Sequence, residues 1–392
     1  MTSAPPVRHR RLLWLVAAIA AAGAGVFSLS SDWLTSAENH ATDLLFQARG
    51  AVGGEPQAVI VGVAESSLAQ AERFGSTERP GVVALMKRDW PWDRRVFAET
   101  VRKLRAHGAR AIVFDIVFGA ETEGDGEFAR AIAEPGAPVV LASFMEIERS
   151  PLGEARVKPL EPQSVLRRAA AERVGYATVF PDSDGALRVG TTLLQDREFL
   201  GYPPVPGESE RFSLAAAGLQ AAGGTVARLP AGSAINFCGP PGTIPALPIE
   251  DLFLPDRWKN SLPQAGALFR DKIVWVGATA ENRFNDVYIT PFGRMSGVEA
   301  QAQTLEMLRG RGPLKKFSAV QGLACVWALA VAGVGLAWSA LRVSRQLAVI
   351  VVVALAWAAL AFELFSSGGI VLPFVAPFAA WLIAGGGGVG VR

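Results

Sequence analysis

Charge is scarce in this chain. Only 19% of its 392 residues are Asp, Glu, Lys or Arg, against roughly 25% in soluble domains. Half are hydrophobic, a balance that excludes an intrinsically disordered chain and argues against an ordinary soluble one. Histidine is scarcer still. His9 lies in the N-terminal tail, His40 after the first apolar segment and His107 at the end of an expected helix. No pair is spaced like metal ligands and no Gly-x-Ser-x-Gly elbow is present, so zinc and serine-hydrolase chemistry have nothing to build on. Paired carboxylates doing acid–base work without histidine stay open. The two cysteines, Cys238 and Cys325, fall in a polar block and in an apolar segment. A disulfide between them is not expected, and the polar block is large enough to fold without one. There is no internal repeat and no low-complexity tract.

What charge there is occupies one block. Residues 1–30 carry Arg8, Arg10 and Arg11 and no acid, while residues 317–392 carry Arg342, Arg345 and Arg392 against Glu363. The intervening 286 residues hold 32 basic and 35 acidic side chains. A bilayer core about 30 Å thick is spanned by about 20 apolar residues. Four segments qualify: 12–30, 317–341, 346–365 and 369–391. Basic residues near spans stay cytoplasmic. That rule places the tail 1–11 inside, the block 31–316 outside, Arg342 and Arg345 inside, and Arg392 inside again. Lys315 and Lys316 fall on the outer side, where their stems can snorkel to headgroups. The first segment reads as an uncleaved anchor rather than a signal peptide. Glu363, near the end of its segment, reads as an interfacial carboxylate rather than a functional charge in the membrane. The expectation is a multi-pass protein of the cell (inner) membrane with one large extracytoplasmic domain. That domain is acidic overall, which argues against nucleic acid as a partner.

The block alternates strand and helix patterns. Residues 58–63 are a continuous apolar run, as are residues 111–114 before Asp115, and residues 272–277 are apolar after Lys272; each reads as a buried strand. Residues 94–107 read as a helix that Asp93 caps and Gly108 stops, with Phe97, Val101 and Leu104 on one face. Residues 127–133 read as a helix and 138–141 as a strand. Strands are also expected at 175–180, 187–194 and 235–237, and helices at 212–222 and 297–308. Asp182-Ser183-Asp184-Gly185 makes a turn, and residues 201–210 a long loop. The fold class this predicts is an α/β domain with a largely parallel sheet, plus four transmembrane α-helices.

Several stretches together carry a family likeness. They are AVIVGVAESSLA at 58–69, WPWDRRVFAETVRKLRAHGARAIVFDIVF at 90–118, NFCGPPGT at 236–243, KIVWVGA at 272–278, Asp286, Thr290-Pro291-Phe292 and Gly297-Val298-Glu299. Over roughly residues 45–312 the chain resembles the CHASE domain of the second type, an extracytoplasmic sensory domain of bacterial membrane receptors. The resemblance implies one span before the domain, three after it, and a cytoplasmic output domain such as a nucleotide cyclase or a kinase. That output would follow this sequence or be supplied by a partner. Two positions depart from the family pattern. Ala64 stands where an aspartate is usual, with Glu65 next to it, and Gln301 stands where a histidine is common. The resemblance thus implies a sensor that detects an unknown small-molecule or protein signal, expected to act as a homodimer and to carry no catalytic domain. A membrane-anchored scaffold that has lost ligand response is the alternative.

Ligands of parallel α/β sheets bind beyond the carboxyl ends of the strands. Glu65, Ser66, Asp115, Asn282, Arg283 and Asp286 all follow expected strands and form the candidate site, with Trp92 as a stacking wall. The same polar residues also suit helix caps, turn acids and ion pairs, and tryptophans ahead of a helix more often pack a core. Residues 239–243 lack the Gly-Lys-Ser/Thr of a phosphate loop and read as a structural turn. Residues 182–185 resemble the start of a calcium loop but have no glutamate at the twelfth position. No metal and no cofactor is expected.

Overall fold

A computed structural model describes residues 32–69, 81–86, 90–150, 153–260, 266–339 and 341–389. The chain divides into two compact units, one of residues 51–313 and one formed by residues 1–50 with 314–392. The helix Asp32–Arg49, expected to open the extracytoplasmic block, therefore belongs with the apolar unit.

The larger unit is built on a parallel sheet. Its strands are β1 (Ala58–Val63), β2 (Ala111–Asp115), β3 (Val139–Arg149), β4 (Ala155–Leu160), β5 (Val174–Tyr176), β6 (Ala246–Pro248) and β7 (Ile273–Ala278). Parallel pairs run in the order β5-β3-β2-β7-β1-β6, and β4 pairs antiparallel to the outer half of β3. β1, β7 and all of β2 before Asp115 are apolar because helices cover both faces. On one face Val59, Val61, Val274 and Val276 meet α1 (Arg95–Ala106) and α2 (Asp125–Ala133). On the other, Ala58, Ile60, Ile273 and Trp275 meet α3 (Leu214–Ala221) and α4 (Gly297–Arg309). The expected α/β class with a mostly parallel sheet is what the chain forms.

Local signals act as their chemistry dictates. Asp93 Oδ1 accepts from Arg95 N at 2.9 Å to start α1. Phe97, Val101 and Leu104 are buried, and Gly108 ends the helix at φ +79°. Ser213 caps α3.

The differences lie where side chains are polar or runs are short. β3 continues to Arg149 and returns as β4, a projecting hairpin with charged exposed faces that carries no apolar run. Residues 187–194 are not a strand. Only Leu193–Leu194 pair, with Arg211–Phe212, while Val189 makes single bridges to Phe180 and Ala234. Residues 235–237 are likewise not a strand; the sheet edge is β6, three residues ending in proline. A second hairpin, β8 (Val287–Thr290) with β9 (Gly293–Ser296), follows β7 unannounced.

In the apolar unit, Ala319–Trp338 and Val343–Gly368 are long and apolar enough to cross a membrane. Val375–Val389 is shorter, 15 residues or about 22 Å. The start of that expected segment is spent elsewhere, because Ile370–Val371 pair in parallel with Lys315–Lys316. The expected span at 12–30 lies outside the described residues. Pro377 falls in the first turn of the last helix, where a missing N–H costs nothing. Glu38 supplies the acceptors there: Oε2 takes Phe374 N at 2.8 Å, and Oε1 takes Val375 N at 2.8 Å and Ala376 N at 3.2 Å. Glu38→Ala should therefore cost about 1–2 kcal/mol, read as a lower thermal midpoint of the full chain in detergent. Glu38→Gln, which keeps one acceptor oxygen, should lose less.

Candidate functional site

The cleft of interest opens beyond the carboxyl ends of β2 and β5, beside Phe144 in the middle of β3. Asp115, the last residue of β2, pairs in register with Gly277 of β7. A side chain at 277 would collide with Val298 and Asp115, so glycine there lets α4 start against the sheet. Asp286 precedes β8 and is tied to the first turn of α4, its carbonyl accepting from Gly297 N at 3.0 Å. Its carboxylate fills the space at Gly297, where an added Cβ would lie 2.3 Å from one oxygen. Tyr288 donates its hydroxyl to Asp286. Gln301, one turn into α4, donates Nε2 to the Ala177 carbonyl at 3.0 Å. Val117, Phe144, Ala177 and Val179 complete the walls of a cleft of about 150 Å³.

The electrostatics follow from burial without a counter-charge. Burial, with the nearby Asp286 charge, pushes the Asp115 carboxyl up to about 8. Burial also raises Asp286, opposed by the Tyr288 hydrogen bond. Tyr288 moves above the usual phenol range through burial and the two neighbouring carboxylates. Among the described residues no lysine or arginine lines the cleft.

Of the expected site residues, the structure brings Asp115 and Asp286 together in this cleft. Glu65 and Asn282 meet each other instead, Glu65 Oε1 accepting from Asn282 N at 3.2 Å. Neither they, Ser66 nor Arg283 lines the cleft. Trp92 is a correction to the expected site. It is fully buried against Trp90 and Phe97 and offers a ligand no surface, because the ring's large apolar area is worth most inside the core. Sequence reasoning missed Tyr288, Phe144 and Val179, and it marked Gln301 only as a departure from a family pattern. The one local clue was Tyr288 standing two residues after Asp286, which puts two strand side chains on the same side.

The remaining motifs are structural. In the 239–243 turn, Thr243 N bonds to the Pro240 carbonyl at 3.0 Å. α4 holds this loop with a polar stripe. Glu299 accepts from Gly242 N at 2.7 Å, and Gln303 accepts from Cys238 N at 2.8 Å and donates to the Gly239 carbonyl at 2.9 Å. Farther along, Glu306 accepts from Gln57 N and Ala58 N at 2.6 and 2.7 Å, fixing the start of β1. The calcium-like acids Asp182 and Asp184 are taken by Arg188 at 3.0 and 2.9 Å. Among the described residues no three His, Cys, Asp or Glu side chains group as a metal site would need.

The described chain thus combines a doubly covered, mostly parallel sheet, a polar cleft at its strand ends, and two helices long and apolar enough to cross a membrane. The family model described as the CHASE2 domain matches residues 15–337, and the chain belongs to that family of extracellular sensory domains. No curated protein and no solved structure matches the chain.

Proposed function

We propose that the protein is a membrane-bound sensory module. Its α/β domain faces the extracytoplasmic side and detects a signal in the cleft of Asp115, Asp286, Tyr288 and Gln301. The signal passes through the membrane helices to a cytoplasmic output domain, following this sequence or supplied by a partner, with the receptor acting as a homodimer. The observation that carries this reading is that Gly297 and Gln301, two residues of the cleft, belong to α4. The same helix leads along the chain into Ala319–Trp338. An occupant that shifts α4 therefore acts on the segment covalently joined to the first membrane helix after the domain.

The scaffold alternative has one observation in its favour. The β3–β4 hairpin leaves Ile147 and Leu160 about half exposed, and apolar side chains on an open edge invite a protein partner.

The two readings separate when the cleft is filled covalently. In the full chain in nanodiscs, with Cys238 and Cys325 replaced by serine, Val179→Cys is modified with ethyl methanethiosulfonate. The sensory reading expects altered hydrogen exchange in residues 297–338 on modification. Unchanged exchange across that whole stretch would sink it and leave the scaffold.

A further inference from the structure

We infer that the cleft takes a small organic cation, an ammonium or guanidinium group on a short apolar body. The inference deepens the sensory reading of this cleft and rests on it. Every polar side chain that lines the cleft presents acceptors. Asp115 has no hydrogen-bond donor among the described residues. Asp286 has a donor in Tyr288, whose own proton is committed to that bond, leaving the phenol oxygen's lone pairs. Gln301, only 6% exposed, has its amide nitrogen committed to Ala177. Its amide oxygen has no partner among the described residues and is the acceptor it offers to the cleft.

Acceptors that face the cleft without a protein donor are left to water or to a ligand, and two carboxyls close together without a cation do not both ionise readily. An ammonium brings three N–H donors and a guanidinium five, each with a positive charge. The rest of the ligand meets Val117, Phe144, Ala177 and Val179, which suit methylene groups and offer nothing to a hydrated metal ion. The volume, that of roughly five liquid waters, fits a short chain rather than a peptide. An anionic ligand would face Asp286 with no lysine or arginine among the described residues of the lining.

The acid–base state of the site adds a signature. The titratable groups lining the cleft are Asp115, Asp286 and Tyr288. With its carboxyl raised to about 8, Asp115 is largely protonated near neutral pH in the empty cleft. A bound cation favours its ionised form, so binding releases a proton and tightens as pH rises through that value.

The test is calorimetry on the full chain in nanodiscs, with hydrogen exchange to locate binding. The probes are butylamine, 1,4-diaminobutane and butylguanidine, set against butyrate, 1-butanol and calcium chloride. The cationic probes should bind, protect residues 115–117 and 286–301, and tighten between pH 6.5 and 8.5. Asp286→Asn should weaken them by about tenfold to a hundredfold. If that variant fails to fold by circular dichroism, Asp115→Asn serves instead, with the same loss expected at pH 8.5. Butyrate, butanol or calcium binding there in place of the amines would overturn the ligand class and leave the cleft as the sensory site. No change in exchange at these residues with any probe would remove both the cation and the sensory reading of the cleft.

Discussion

Asp115→Asn should stabilise the protein by about 3 kcal/mol at pH 8 and by almost nothing at pH 4. The native carboxyl is raised to about 8 from an ordinary value of 3.8. Below pH 4 it is protonated in both the folded and unfolded chains and contributes no difference. Between pH 4 and pH 8 the unfolded chain gives up this proton while the folded one keeps it. Stability from this group is therefore present at low pH and is lost as pH rises toward 8. At 1.36 kcal/mol per unit the loss has a ceiling of about 6 kcal/mol. The opening of the cleft to water brings it to roughly half that. Asparagine has nearly the same shape and no charge to desolvate. Thermal or urea melts of the full chain at a series of pH values check the result. A pH-independent difference between the two proteins would show that the Asp115 carboxyl is not the strained group. A gain in stability from removing an ionisable group is what a carboxyl kept for function against its own preference would give.

The second large effect concerns the core. Trp275→Ala should lower stability by about 3–5 kcal/mol, a fall in thermal midpoint of roughly 6–20 °C for a unit of this size. Trp275 is fully buried at the centre of β7 and pairs in register with Ile60 of β1 and Val113 of β2. Its ring reaches the space beside Gly218 of α3, where an added Cβ would lie 3.8 Å from it. Alanine leaves a void that strands paired on both sides cannot collapse to fill. The indole nitrogen has no hydrogen-bond partner among the described residues, so Trp275→Phe gives up volume but no bond and should cost about half as much or less. A midpoint for Trp275→Ala within 2 °C of the native value would contradict this account of the core.

The sequence carried the parts of this protein that repeat a simple physical pattern. Continuous apolar runs mark β1, β2 and β7 because both sheet faces are covered. The Phe97, Val101 and Leu104 spacing marks α1, and the charge-poor stretches mark the two long apolar helices. Asp115 and Asp286, which line one cleft, were legible as candidate site residues because strand ends in parallel sheets are where ligands bind. Trp92 misled because an aromatic ahead of a helix reads alike whether it faces a ligand or a core.

Other features had no local signature. β4 and the β8–β9 hairpin are polar or partly exposed strands that carry no apolar run of their own. Tyr288 and Gln301 enter the cleft only because α4 begins against β7, an approach that Gly277 and Gly297 permit and that no spacing encodes. Whether a carboxylate near a strand end is a helix cap, an ion pair or a ligand contact depends on what faces it across the fold. Glu65 found a backbone N–H, Asp182 and Asp184 found Arg188, and Asp115 found another acid. The sequence by itself determined where charge is missing and which segments must avoid water, since that depends only on composition along the chain. The tertiary structure decided which acids meet a cation and which meet each other, because electrostatic partnership depends on distances between residues far apart in sequence.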